Sequence, residues 1–152
     1  ALELLEEAVR KDDTIIDVGT GTGILFIAAL KLGAARAVAR DLDPATLGEV
    51  RRNMELNELP PILCDLAVGD LLKDVEAEAD LLTANILLEP NRALLPDVPR
   101  VLRPTGAAIF SGMTAAERDL FLPALLASGL SVEKELRMGD WWGCRARPAR
   151  LA

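Results

Sequence analysis

The chain has 152 residues, 51% of them hydrophobic, and a net charge of −7. Those values describe one folded domain with a full core rather than a disordered segment. The acidity argues against a broad nucleic-acid surface and suits a basic protein substrate.

No apolar run reaches membrane-spanning length, and the opening ALELLEEAVR is an acidic amphipathic helix rather than a signal peptide. Cys64 and Cys144 lack metal-ligand spacing, so they are expected as buried, reduced thiols of a cytoplasmic protein. There is no histidine and no tyrosine. The usual general bases, zinc ligands and proton shuttles are therefore missing, and any enzyme here must work mainly by positioning and electrostatics.

In chain order, the pattern predicts a helix over 1–10, with Leu2, Leu5, Ala8 and Val9 on one face, and a first strand over 13–18. A helix over 22–32 closes at Gly33, and a second strand covers 35–41. Asp43-Pro44 caps a helix over 45–57, which Pro60-Pro61 stops. A third strand follows over 62–68, then a loop with Asp70, and a fourth strand over 79–85. One helix is expected over 89–102, ending near Arg103-Pro104, then a fifth strand over 106–111 and a helix over 115–128. The segments 131–138 and 141–147 have hairpin spacing, and the Arg/Ala/Pro tail from Arg145 is read as a last strand with a frayed end. Strands alternating with helices imply an α/β, Rossmann-like, mostly parallel sheet of seven strands. Helices cover both faces, and a C-terminal antiparallel hairpin closes the sheet.

The run DVGTGTG, Asp17 to Gly23, ends the first strand and opens a helix, which places it where backbone amides can surround a small polar ligand. Gly19, Thr20, Gly21 and Gly23 are assigned to that ligand, against the alternative of a plain glycine-rich turn. A dinucleotide fingerprint wants glycine where Ile24 stands, and Asp17 would repel a pyrophosphate. An anion at that strand end suits an ammonium group, so S-adenosyl-L-methionine fits better than a nicotinamide dinucleotide.

Asp41 closes the second strand, where an acid in this architecture bonds ribose hydroxyls. Its neighbour Arg40 faces the other way, and replacing it is expected to weaken cofactor binding much less than replacing Asp41. Asp70 is a candidate acceptor for an adenine amino group, or simply a solvated loop acid. Asn85 ends the fourth strand at the same crevice. Its side-chain carbonyl, with a neighbouring backbone carbonyl, could accept hydrogen bonds from an amine and aim its lone pair at an electrophilic methyl. The alternative is an Asn that satisfies its own turn. Trp141 and Trp142 are expected to divide between core and substrate mouth, while Glu55, Glu89 and Asp140 are read as solvated acids.

Taken in order, DVGTGTGILFIAALKLGA, ARDLDP, NMELN, TANILLEP and IFSGM resemble the class I methyltransferase family, specifically the PrmA type that methylates amines of the eleventh large-subunit ribosomal protein. The resemblance implies cofactor contacts at Gly19 and Asp41 and puts Asn85 on the family's Asn, beside the cofactor and the incoming amine. It also implies that the family's N-terminal substrate-recognition domain and its cofactor-contacting loop are missing from this single domain, 1–152. Arg40 stands where the family usually has a small or apolar residue. The expected reaction is methylation of lysine or α-amino groups of a basic protein, which the resemblance implies is ribosomal, or of a small amine. The rival readings are methylation of a small molecule or nucleic acid, or cofactor binding without catalysis.

Overall fold

The computed structural model describes residues 1–149. Its elements are α1 (Leu2–Ala8), β1 (Thr14–Val18), α2 (Ile24–Lys31), β2 (Arg36–Asp41), α3 (Thr46–Leu56), β3 (Cys64–Val68) and β4 (Ala79–Asn85). They continue with α4 (Leu88–Leu94), α5 (Val98–Val101), β5 (Leu102–Thr114), α6 (Arg118–Ala127), β6 (Leu130–Met138) and β7 (Trp141–Pro148). The seven strands form one sheet in the order β3-β2-β1-β4-β5-β7-β6. The first five run parallel, and β7 lies antiparallel between β5 and β6. The end of the tail, 150–152, lies outside the described residues.

Strand alternation builds two cores. Ile15, Leu81 and Ile109 turn toward α1, α2 and α3, whereas Ile16, Leu82 and Phe110 turn toward α4, α5 and α6. A strand buried on both faces has no strict polar alternation to show, which is why TIIDV and ADLLTAN carry the adjacent apolar pairs Ile15-Ile16 and Leu81-Leu82. The hairpin adds its own plug. Trp142 packs edge-on against Phe121, which tilts against Phe110, so β7 is tied to α6 and β5 by aromatic contacts. Among the described residues, no helix is long and apolar enough to cross a membrane.

Two predicted elements differ. The helix expected over 89–102 is α4 and α5 joined by a 3₁₀ turn at Leu95–Asp97. Pro96 supplies no N–H there, and Pro99 supplies none in α5, so a continuous helical ladder is not available. The fifth strand is also longer than 106–111, because Leu102 already pairs with Ala79 and an irregularity between Ala79 and Leu81 absorbs the Pro104 segment.

Arg40 has partners that the sequence did not show. Its side chain does face away from the glycine loop, but it is buried, and it bonds Asp65 through Nη2 and Asp74 through Nε, both at 2.9 Å. Its Nη1 also donates to the Asp65 carbonyl at 2.8 Å. The arginine thus fastens the segment that carries Asp70 to β2 and β3. Both carboxylates keep partial contact with water, which lowers the cost of losing their partner. Arg40→Met should therefore destabilise the fold by about 1–3 kcal/mol. Urea unfolding beside the parent checks this; an unchanged midpoint and slope would show the ion pairs to be idle.

Candidate functional site

The ends of β1, β2 and β4 open on one crevice, a cavity of about 730 Å³ lined by Gly19, Asp41, Asp70, Ile86 and Leu87 among others. A cavity of about 770 Å³ between α3 and β3, with Arg51, Arg52 and Cys64, lies away from these strand ends and holds none of the predicted residues. The crevice follows from the parallel sheet: β1 separates β2 from β4, so the loops leaving β1 and β4 must run to opposite sides and part at this point.

The loop is held by its own backbone. The Gly19 and Thr20 amides donate to the Arg40 carbonyl at 2.9 and 3.1 Å, and the Gly23 amide donates to the Thr20 carbonyl at 2.8 Å. Gly19 has φ +66, and a Cβ there would stand 2.3 Å from Ile86 Cγ2, so only glycine lets the loop approach the segment after β4. The Asp41 carboxylate accepts the Gly21 amide at 2.8 Å and the Asp43 amide at 3.0 Å. Its oxygens retain further lone pairs toward the crevice. Gly23 caps α2, and Asn53 of α3 donates to the Thr22 carbonyl at 2.8 Å.

Asp17 is placed differently from the sequence expectation. Its residue is 1% exposed, beneath the loop rather than at its mouth. Thr20 donates its hydroxyl to one carboxylate oxygen at 2.7 Å, and Thr83 of β4 donates to the other at 2.5 Å. Burial pushes the Asp17 carboxyl up to about 6; those hydroxyl bonds pull the other way, and the charge of Asp41 adds to the rise. A direct contact between this carboxylate and a ligand ammonium is not what the geometry offers. Asp17 shapes the loop and sends a negative potential through it.

Asp70 lines the crevice and is paired with Lys73, so its charge is already partly balanced. Asn85 is exposed at the end of β4, opposite Ser111 of β5. It lines a second cavity of about 510 Å³, reached from α1, α2 and the β6–β7 hairpin, and a smaller space shared with Ile86, Leu87, Ser111 and Trp141. Asn85 therefore stands beside the crevice, at its boundary with an open, apolar mouth. Trp142 is core and Trp141, 60% exposed, is at the mouth. Ser111 was not singled out by the sequence, since only its pairing opposite Asn85 reveals it. Glu89 is solvated, as expected, at the rim of the crevice, where it pairs with Arg92. Among the described residues, no group of three or more His, Cys, Asp or Glu could hold a metal ion.

Comparison with known proteins gives a consistent answer. Residues 1–148 match the family described as ribosomal protein L11 methyltransferase (PrmA). Proteins named ribosomal protein L11 methyltransferase from Bacillus cereus (strain ATCC 10987 / NRS 248) and Bacillus anthracis are each 40% identical over 148 residues. In both cases the match covers 97% of this chain and 47% of the relative, so the chain spans about half the length of the relatives it matches. The crystal structure of ribosomal protein L11 methylase from Lactobacillus delbrueckii subsp. bulgaricus superposes with TM-score 0.90 at 34% identity, covering 98% of this chain and 76% of that one. A putative RNA methyltransferase from Pyrococcus horikoshii, at 16% identity and TM-score 0.79 over 92% of this chain and 76% of its own, shares the fold.

The buried carboxyl has a measurable consequence. Since its pKa is raised to about 6 from 3.8, the folded state holds this proton more tightly than the unfolded chain. The stabilisation is complete below about pH 4 and is lost as pH rises through about 6, roughly 3 kcal/mol in all. Asp17→Asn should remove that dependence, so its stability relative to the parent should climb between about pH 4 and pH 6. Urea unfolding across that range reads the difference, and a flat difference would mean that the carboxyl titrates normally.

Proposed function

The chain belongs to the ribosomal protein L11 methyltransferase (PrmA) family, and from that premise we propose that it is an S-adenosylmethionine-dependent methyltransferase acting on amino groups of a ribosomal protein. The observation that carries the reading is the glycine loop bonded to Asp41 on one wall of the crevice, with Asn85 at the crevice's outer boundary. The donor set suits that cofactor. Asp41 presents acceptors for ribose hydroxyls, Asp70 for an adenine amino group, and Gly19 brings backbone rather than a side chain to the crevice, while Thr20, Gly21 and Gly23 hold the loop in shape behind it. Asp17 beneath them, with Asp41 and Asp70, makes the crevice acidic, which favours a ligand carrying ammonium and sulfonium charges over one carrying phosphates.

When bound, S-adenosylmethionine supplies an electrophilic methyl on a positively charged sulfur. The chain's own residues then have three tasks. Asn85 accepts an amine N–H through its side-chain carbonyl and so directs the nitrogen lone pair. The apolar mouth, with Trp141 and Leu87, surrounds the amine's carbon stem and keeps water away from the nitrogen. The third task is to accept only a neutral amine, since an ammonium has no lone pair to offer. With no histidine in the chain, that proton leaves to solvent before attack.

The protein incubated with labelled S-adenosylmethionine should transfer label to ribosomal protein L11. Label appearing in RNA or a small amine instead would redirect the substrate, and binding without transfer to any of these would leave a cofactor-binding module. Asp41→Ala should weaken cofactor binding by about 1–3 kcal/mol, by loss of hydroxyl partners and of the Gly21 tether. Asn85→Ala should lower single-turnover transfer by roughly a hundredfold or more, with little change in cofactor affinity. Calorimetric titration and rapid-quench transfer assays separate the two; equal losses in both for either variant would misplace that residue.

A further inference from the structure

On the reading of the site given above, we propose that Asn91 is a positioning residue: it clamps the segment after β4 onto the end of β5 and thereby fixes Asn85 for the incoming amine. Asn91 lies on α4 and is fully buried, at 0% exposure. Its Nδ2 donates to the Ile86 carbonyl at 2.7 Å and to the Ser111 carbonyl at 3.0 Å. Ile86 is bonded covalently to Asn85, and Ser111 is the residue paired with Asn85 across the sheet. The Ile86 amide closes the ring by donating to the same Ser111 carbonyl at 3.1 Å.

Ile86 is also confined sterically. Gly112 has φ +83, and a Cβ on it would stand 2.5 Å from the Ile86 carbonyl oxygen; on the other side Gly19 leaves room for Ile86 Cγ2. The segment is thus pressed between two glycines, and the one side chain that ties its carbonyl down is Asn91. The orientation of the amide follows from its partners, since two carbonyl oxygens can face only the NH₂ group.

The cost of that arrangement is visible. Asn91 Oδ1 is buried with no hydrogen-bond partner, the one side-chain N or O atom of its kind among the described residues. A leucine would fill similar space without stranding an acceptor, so what an amide adds here is its two donors. The clamp also bears on which acceptors the amine meets. The Ile86 carbonyl, next in the chain to Asn85, receives the Asn91 N–H and keeps its second lone pair in a fixed direction. The Asn85 side-chain carbonyl is left as the acceptor free to turn toward the mouth.

Residue-resolved hydrogen exchange on the full chain reads the clamp without substrate. In Asn91→Leu the Ile86 amide should exchange at least about tenfold faster, while the Leu82 amide in the middle of β4 keeps its rate. Binding of S-adenosylhomocysteine should stay within about twofold, and single-turnover transfer at saturating cofactor should fall at least about tenfold. Asn91→Asp keeps the shape: ionised, it sets a carboxylate against two carbonyls, whereas protonated it can donate to one. Its transfer rate relative to the parent should rise as pH falls, and its Ile86 exchange relative to the parent should slow, trends that simple space-filling would not give. Should the leucine variant fail to fold, the aspartate variant carries both readouts. Unchanged Ile86 exchange in the variants overturns the clamp, and faster exchange with undiminished transfer overturns its role in placing the amine. A parent that transfers no methyl counts against the proposed function, while the exchange rates still decide the clamp.

Discussion

A single buried carboxylate joins the parts of the crevice. Asp17 takes a hydroxyl hydrogen bond from Thr20, within the loop, and another from Thr83, on the neighbouring strand, so β1, the loop and β4 share one anchor. Desolvation works against that anion, and the two hydroxyl bonds recover only part of the loss, which is why its pKa rises. The loop can afterwards be built almost wholly from backbone. Its amides find the Arg40 carbonyl and the Asp41 carboxylate, and its side chains are kept out of the cavity.

That anchor sets the register of everything opposite it. Asp17 pairs with Thr83 across the sheet, so the fourth strand reaches two residues further, to Asn85, before it turns. Ile86 then meets Gly19 at a separation that excludes any Cβ. The β4–β5 pairing places Ser111 beside Asn85, and the hairpin brings Trp141 over the same space. An acidic crevice and an apolar mouth therefore share a wall made of Ile86 and Leu87, with Asn85 on the side of the mouth. On the proposed reading, the cationic cofactor and the amine approach from these different environments.

Much of this was legible in the sequence where the governing interaction is local. The first two strands and the loop depend on neighbours a few residues away; Asp43, expected as the helix cap, instead closes a turn by accepting the Ala45 amide at 2.9 Å, and Ala45 is the N-cap of α3. Asp41 and Asn85 were legible because strand ends in a parallel sheet converge, whatever lies between them. What stayed hidden depends on partners distant in the chain. The alternation of β2 says which way Arg40 points but not that Asp65 and Asp74 wait there. Periodicity placed one helix over 89–102 and gave too little weight to Pro96 and Pro99. The burial of Asp17 depends on Thr83, 66 positions away, and the task of Asn91 on a carbonyl 20 positions away.

The two buried polar devices divide the work by the sign of what they supply. Asp17 presents acceptors and charge under the loop, and its influence on a ligand is electrostatic, carried through a thin layer of backbone where the dielectric screens poorly. Asn91 offers its two donors, and its influence is geometric, exerted through the Ile86 and Ser111 carbonyls, each of which accepts one of its N–H groups. Neither group need touch a ligand to matter. On the proposed reading, a chain without histidine or tyrosine offers the amine neither of those proton acceptors, so rate comes from where the amine is held and what surrounds it. Holding depends on the wall that Asn91 stiffens, and the charge that favours a cationic cofactor comes from beneath the loop that Asp17 organises. The crevice can remain open to solvent on its outer side because both devices are buried on its inner side.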